Sequence, residues 1–126
     1  VRGSISPFVD PGLYEMWIFL REGKKREDAL ALLDREIGRL GSEGPTPIEL
    51  EKAIHQLELS FLHGMETAGG KAEQIGFYET VANDGAAVFE RLDAYGRVSA
   101  RDVKRAVSKH LRPSRRTRIE ILRRAS

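Results

Sequence analysis

The fold is set by a long helical segment at residues 44–65, which reads GPTPIELEKAIHQLELSFLHGM. Thr46 is a typical helix N-cap, Pro47 suits the first helical position, and Glu49 supplies the reciprocal side chain of a capping box. Apolar residues then recur at helical spacing, at Leu50, Ile54, Leu57, Phe61 and Met65. The segment therefore predicts an amphipathic helix that begins at Pro47 and is long enough to span a small domain.

A second amphipathic helix is expected before this one, at residues 24–40. Charged residues separate a set of apolar residues that recur at helical spacing, namely Ala29, Leu30, Leu33, Ile37 and Leu40. Gly41 follows as a C-cap, and Gly44-Pro45 separates this helix from the next.

Beyond the long helix, glycine-containing turns divide the chain into shorter helices. Gly69-Gly70 is expected to end the long helix, and residues 72–81 predict the next one. Asn83-Asp84-Gly85 breaks that helix, and a short helix is expected at 86–94.

The end of the chain predicts one more helix and a closing strand. Ser99 and Asp102 form a second capping-box pattern, and Pro113 blocks extension of the helix that follows. Residues 117–122 then alternate between β-branched and charged types, which is typical of a short strand.

The start of the chain predicts a β-hairpin. Residues 4–9 and 13–20 are rich in β-branched and aromatic types, and Asp10-Pro11-Gly12 between them is a strong turn signal. Both faces of the second strand are largely apolar, so we expect it to lie inside a sheet and to be covered.

This order of elements predicts an α+β fold, an antiparallel sheet with helices layered on one face, and a single domain over residues 1–126. Two or three strands make a poor sheet with exposed edges. We therefore expect the missing strands to come from an absent N-terminal segment or from a partner chain. The start at Val1, without an initiator Met, favours a processed or shortened chain.

Composition restricts the class of protein. The 126 residues are 40% hydrophobic and contain no cysteine, so disulfides and thiolate metal sites are excluded. No apolar run approaches the roughly 20 residues of a membrane span. We expect a soluble protein of the cytoplasm or of a bacterial periplasm, two compartments between which the sequence does not distinguish.

The distribution of charge gives little support to nucleic-acid binding. The net charge is only +2, and the basic excess lies mainly near the C-terminus, at Arg112, Arg115, Arg116, Arg118, Arg123 and Arg124. We interpret these arginines as a solvated tail. A nucleic-acid contact is the alternative, but no interleaved aromatic residues or recognised module supports it.

No complete catalytic, cofactor-binding or metal site is evident. Nucleophile elbows and phosphate-binding loops are absent from the sequence. The nearest approach to a metal motif is at His55, where an inverted zinc motif would require a second histidine at the position of Leu59. His55 with Glu51 or Glu58 falls short of the three ligands of catalytic zinc, so we interpret it as a solvated helix residue. His63 and His110 need no catalytic explanation.

Four stretches, taken in order, resemble the end of a half-enzyme domain in the insulinase/pitrilysin/mitochondrial processing peptidase family. They are residues 4–20, 24–40, 44–62 and 98–122. The third resembles a recurrent family pattern through Gly44, Thr46, Glu49, Leu50 and Ala53. The fourth resembles the family's closing stretch through Val98, Ser99, Asp102, Val103, Ala106 and Leu111.

The resemblance implies the C-terminal part of the zinc-free, inactive half of a zinc metallopeptidase. The expected partners are the zinc-bearing half, in the same parent chain or in another subunit, and a peptide substrate. Zinc would lie in that other half, and this chain alone should be inactive. Gly3 stands where active relatives carry a substrate-binding Tyr, so no substrate contact is carried over to it. The alternative is a scaffold or assembly subunit of the same fold without peptidase activity.

Overall fold

The computed structural model describes residues 1–5 and 12–121 and shows an α+β fold. Its elements are the strands β1 (Arg2–Ile5) and β2 (Tyr14–Trp17) and the helices α1 (Arg26–Ser42), α2 (Pro47–Gly64), α3 (Ala68–Ala82), α4 (Arg91–Gly96) and α5 (Ala100–His110). Short 3-10 turns cover Gly85–Val88 and Pro113–Arg115. The predicted fold class is confirmed.

Two helix starts follow directly from the capping-box sequences. The Glu49 N–H donates to Thr46 Oγ1 at 3.2 Å, and the Thr46 N–H donates to a Glu49 carboxylate oxygen at 2.8 Å. The N–H of Asp102 donates in the same way to Ser99 Oγ, at 3.2 Å. These bonds satisfy backbone donors that a helix N-terminus otherwise leaves unpaired, and the predicted starts of α2 and α5 are confirmed.

The predicted end of the long helix at Gly69-Gly70 is wrong. α2 ends at Gly64, and both glycines lie in the first turn of α3. Thr67 is the N-cap of α3, because its hydroxyl oxygen accepts a hydrogen bond from the Gly70 N–H at 3.0 Å. A cap of this kind compensates the poor helix propensity of glycine.

The predicted break after α3 is confirmed, and the short helix beyond it is divided in two. Asn83 ends α3 in the left-handed conformation, with φ of 55°. The N–H of Gly85 donates to a Glu79 carboxylate oxygen at 2.8 Å and that of Ala86 to Asp84 Oδ1 at 3.0 Å. These bonds stabilise a 3-10 turn where residues 86–94 predicted one continuous helix, and α4 starts only at Arg91.

Helix packing produces two small centres of burial. α5 packs on α1, where Ser108 Oγ donates to the Gly41 carbonyl at 2.9 Å beside the buried Val107. α2 packs on α3 and α4, and α3 packs on the 3-10 turn that carries Val88. Val88 is fully buried.

The hairpin pairs antiparallel, with Arg2 opposite Trp17 and Ile5 opposite Tyr14. The predicted turn and the end of the predicted first strand lie partly outside the described residues. Tyr14 and Trp17 are about half exposed, at 50% and 48%. The expectation that β2 is covered is therefore not met within the described part of this chain.

The predicted closing strand is wrong for its described part, residues 117–121, which lie outside any strand and pair with neither described strand. Instead, Arg116 forms an ion pair with Asp34, and an Arg26 terminal nitrogen lies 3.0 Å from a Glu120 carboxylate oxygen. Both pairs join the segment to α1. The alternation of residue types favours an extended backbone, but a strand also requires a neighbouring strand edge to pair with.

The chain leaves much more surface exposed than a folded monomer of its mass. Its accessible surface is 10646 Å², whereas a compact monomer of 14.1 kDa exposes about 6,700 Å². Many of its large apolar side chains lie on that surface. The described helices and hairpin therefore do not cover their own apolar faces.

Candidate partner-binding surfaces

The hairpin carries the first uncovered apolar surface. Leu13 is 72% exposed and Phe19 is 73% exposed, and the Phe19 ring stacks on Trp17 with 6.4 Å between ring centroids. Within residues 1–5 and 12–121 the sheet has these two strands, so the outer edge of each is unpaired there. Exposed aromatic rings beside free backbone donors and acceptors are the features by which another strand is added to a sheet.

The outer face of α2 is the second uncovered surface. It comprises Ile48, Lys52, His55, Leu59 and Leu62, which follow one another at alternating spacings of four and three residues. Its three aliphatic members are each more than half exposed. A shallow depression of about 360 Å³ lies along this face. The spacing matches the seam along which one helix packs on another, so the face is suited to a partner helix.

His55 lies in the middle of this outer face, exposed and beside Glu51. Among residues 1–5 and 12–121, no group of three or more His, Asp or Glu side chains is arranged to hold a metal ion. His63 Nδ1 lies 2.9 Å from a Glu66 carboxylate oxygen, and His110 is the last residue of α5. The three histidines are therefore on separate parts of the surface.

An ion-pair network joins α1 to the start of α2. An Arg39 terminal nitrogen lies 2.7 Å from a Glu49 carboxylate oxygen, and Arg39 Nε lies 3.1 Å from Glu36. The pKa of Glu49 is lowered, first by the hydrogen bond from the Thr46 backbone N–H and then by the bond from Arg39. The capping box and the helix–helix contact thus share one carboxylate.

The described arginines near the C-terminus are largely engaged within the chain. Arg112 Nε donates to the Ser108 carbonyl at 2.8 Å, Arg116 pairs with Asp34, and Arg118 Nε lies 3.2 Å from Glu120. Arg123 and Arg124 lie outside the described residues. Engaged guanidinium groups of this kind do not form a basic stripe of the sort that follows a phosphate backbone.

A small cleft where α2, α3 and α4 meet was not predicted from the sequence. It has a volume of about 190 Å³ and is lined by Leu57, Ser60, Phe61, Gly64, Gln74, Arg91 and Tyr95. Arg91 and Tyr95 are four residues apart on α4, a spacing that places them on one helix face and could have drawn attention to the pair. The side chains of α2 and α3 that complete the cleft are brought there only by packing.

Comparison of the chain with protein-family models, with curated proteins and with solved structures finds no match. Within residues 1–5 and 12–121, no helix combines the length and apolar character needed to cross a membrane.

Proposed function

We propose that this chain is the non-catalytic, substrate-enclosing half of a zinc-dependent peptidase that acts on peptides. The observation that carries the proposal is the large accessible surface, 10646 Å² in a chain of this mass, together with the large apolar side chains exposed on the hairpin and on α2. Exposed apolar side chains grouped in this way favour a covering body, and the order of the elements resembles the zinc-free half of such an enzyme. The covering body in this proposal is the zinc-bearing half.

Each uncovered surface has a role in this arrangement. The outer face of α2 packs against a helix of the other half, and the free edges of the hairpin extend its sheet. With the two halves closed, an extended peptide is held between them and bulk water is excluded from it.

The zinc ion and its ligands belong to the other half in this proposal. His55 with Glu51 offers two side chains where catalytic zinc needs three. The contribution of this chain is therefore to position the peptide and exclude water, and it supplies none of the reacting groups.

The test is hydrolysis of unstructured peptides by the separately purified zinc-bearing half, with and without this chain. We expect this chain to raise the rate, a zinc chelator to abolish the increase, and Leu59→Asp to reduce it by disrupting the outer face of α2. Leu32→Asp is the matched control, because Leu32 is 50% exposed on α1, outside both surfaces.

Two outcomes would count against the proposal. If a complex forms with the zinc-loaded half but the rate does not change, the chain is a scaffold subunit without a role in hydrolysis. If no complex forms at all, its apolar surface is covered by some other body.

A further inference from the structure

The Arg91 guanidinium lies close to two tyrosine rings. Its guanidinium carbon lies 5.8 Å from the Tyr78 ring centroid and 5.4 Å from that of Tyr95. Its Nε donates a hydrogen bond to the Tyr95 hydroxyl. Cation–π contacts with both rings and a hydrogen bond from Nε restrain the planar group, and among residues 1–5 and 12–121 no hydrogen bond uses its terminal nitrogens.

The charge of Arg91 has no counterion in the described part of the chain. Arg91 is half-buried, yet it is absent from every ion pair formed among residues 1–5 and 12–121. Aromatic rings stabilise a cation only in part, and a partly desolvated guanidinium attracts an anion strongly. An oriented guanidinium with free donors is suited to a carboxylate, which it can bind through two parallel hydrogen bonds.

The other residues that line the cleft indicate which chemical groups of a ligand can lie next to the anion bound by Arg91. Leu57 and Phe61 provide apolar walls on the α2 side of the cleft, and Gln74 on α3 provides an amide donor. Ser60 Oγ donates to the Gln56 carbonyl at 2.8 Å, so its oxygen can only accept a further bond. The cleft volume of about 190 Å³ is below that of ordinary small-molecule sites, so it admits a group the size of one amino-acid residue.

From these contacts we propose that the cleft formed by α2, α3 and α4 binds a carboxylate that is flanked by an aliphatic side chain. Arg91 holds the carboxylate through its terminal nitrogens, Gln74 donates to it, and the aliphatic group lies against Leu57 and Phe61. This site is independent of the peptidase proposal, because it requires neither zinc nor a second half. A peptide C-terminus and an acidic side chain both supply this chemistry.

The experiment is a titration of the full chain with three short peptides, followed by the nuclear magnetic resonance signals of the Gln74 side-chain amide and the Tyr95 backbone N–H. The probes are N-acetyl-glycyl-leucine, its C-terminal amide, and N-acetyl-glutamyl-leucinamide. We expect the free acid to shift both signals and the uncharged amide to leave them in place. Binding of the third peptide would show that an acidic side chain is accepted, and its failure would assign the site to a C-terminal carboxylate.

Variants then test the role of Arg91 itself. Arg91→Gln should weaken binding of the free acid by about ten-fold or more, since it removes a charge-assisted pair of hydrogen bonds. Arg97→Gln is the matched control, an exposed arginine just beyond α4, and should bind as the parent chain does. If circular dichroism shows that Arg91→Gln has lost helix, Arg91→Lys takes its place, because it keeps the charge without the planar fork and should still weaken binding several-fold.

Two results would overturn the proposal. One is an equal shift of both signals by the acid and the amide, which would mean that only the apolar walls bind the ligand. The other is unchanged affinity in a folded Arg91 variant, which would leave the arginine with a purely structural role on its two tyrosines.

Discussion

A Cβ atom on Gly70 would overlap the backbone carbonyl oxygen of Gly64. This close approach sets the corner at which α2 ends and α3 begins, and both helices contribute side chains to the cleft around Arg91. The neighbouring Gly69 has open space where its side chain would be. Two adjacent glycines in one helical turn thus have different structural roles.

Alanine substitutions should separate these roles. Gly70→Ala forces the α2–α3 corner to open, and we expect it to lower the free energy of unfolding by about 1–3 kcal/mol. Gly69→Ala meets no atom and should raise stability by up to about 1 kcal/mol, because alanine is the better helix former. Urea unfolding followed by circular dichroism measures both. Equal effects of the two changes would contradict the close packing of Gly70.

Val88 should contribute more to stability than any exposed valine. It is fully buried in the 3-10 turn that packs on α3, so Val88→Ala removes buried methyl groups and leaves a cavity. We expect a loss of about 2 kcal/mol in the free energy of unfolding. Val1→Ala is the control of the same residue type, since Val1 is 84% exposed. A similar midpoint of thermal unfolding for both variants would contradict this assignment of the core.

Acid should weaken the start of α2 through Glu49. Its pKa in the folded chain lies below its ordinary value of 4.5, because the Thr46 N–H and Arg39 favour the carboxylate. A lowered folded pKa means that the stabilisation is complete above the ordinary pKa and is lost as the pH falls through the folded pKa.

Glu49→Gln should flatten this acid dependence, because glutamine keeps the capping hydrogen bonds and does not titrate. The measurement is the thermal unfolding midpoint from neutral pH to below the ordinary pKa of Glu49, and it should fall less in the variant than in the parent chain. Glu51→Gln changes an exposed residue of the same helix and is the control. With this change the unfolding midpoint should vary with pH as it does in the parent chain. If the unfolding midpoint of Glu49→Gln varies with pH as that of the parent chain does, the Arg39–Glu49 pair has no part in the loss of stability in acid.

Salt should release the segment at residues 116–121 from α1. Its two long-range anchors are the ion pairs of Arg116 with Asp34 and of Glu120 with Arg26, and both are partly exposed. Ions screen exposed pairs, so the backbone N–H order parameters of this segment, measured by nuclear magnetic resonance relaxation, should be lower at about 1 M salt than at low salt. Asp34→Asn should lower them already at low salt, whereas Asp93→Asn on α4 should not. Order parameters that depend on neither salt nor Asp34 would contradict the attachment of the segment through these pairs.

Local sequence signals predicted the starts of α2 and α5. The capping boxes at Thr46 and Ser99 were evident because each depends on residues three positions apart, and the break at Asn83 depends on the left-handed conformation that asparagine tolerates. The prediction that the long helix ends at Gly69-Gly70 was wrong because it too used only a local signal. Glycine signals a helix end, but the cap at Thr67 starts a new helix through both residues.

Only part of the candidate surfaces was predicted from the sequence. The apolar seam of α2 from Leu50 to Met65 was predicted, but its outer face was not, because Lys52 and His55 interrupt the aliphatic residues there. The Arg91 cleft combines side chains from α2, α3 and α4, and no periodicity within one helix relates them. The prediction of a closing strand was wrong because a strand must pair with the edge of another strand, and the local sequence does not show whether such an edge lies nearby.

The sequence by itself determined the α+β class and the capped starts of α2 and α5, since hydrogen bonds to near neighbours and apolar periodicity are local properties. The peptidase role remains a proposal, suggested by a resemblance in the order of the elements. Tertiary structure alone decided that Tyr78 on α3 lies close to Arg91, that Arg116 and Glu120 form ion pairs with residues of α1, and that the hairpin and the outer face of α2 are left exposed. These features depend on which distant residues come into contact, and packing of the whole chain sets those contacts.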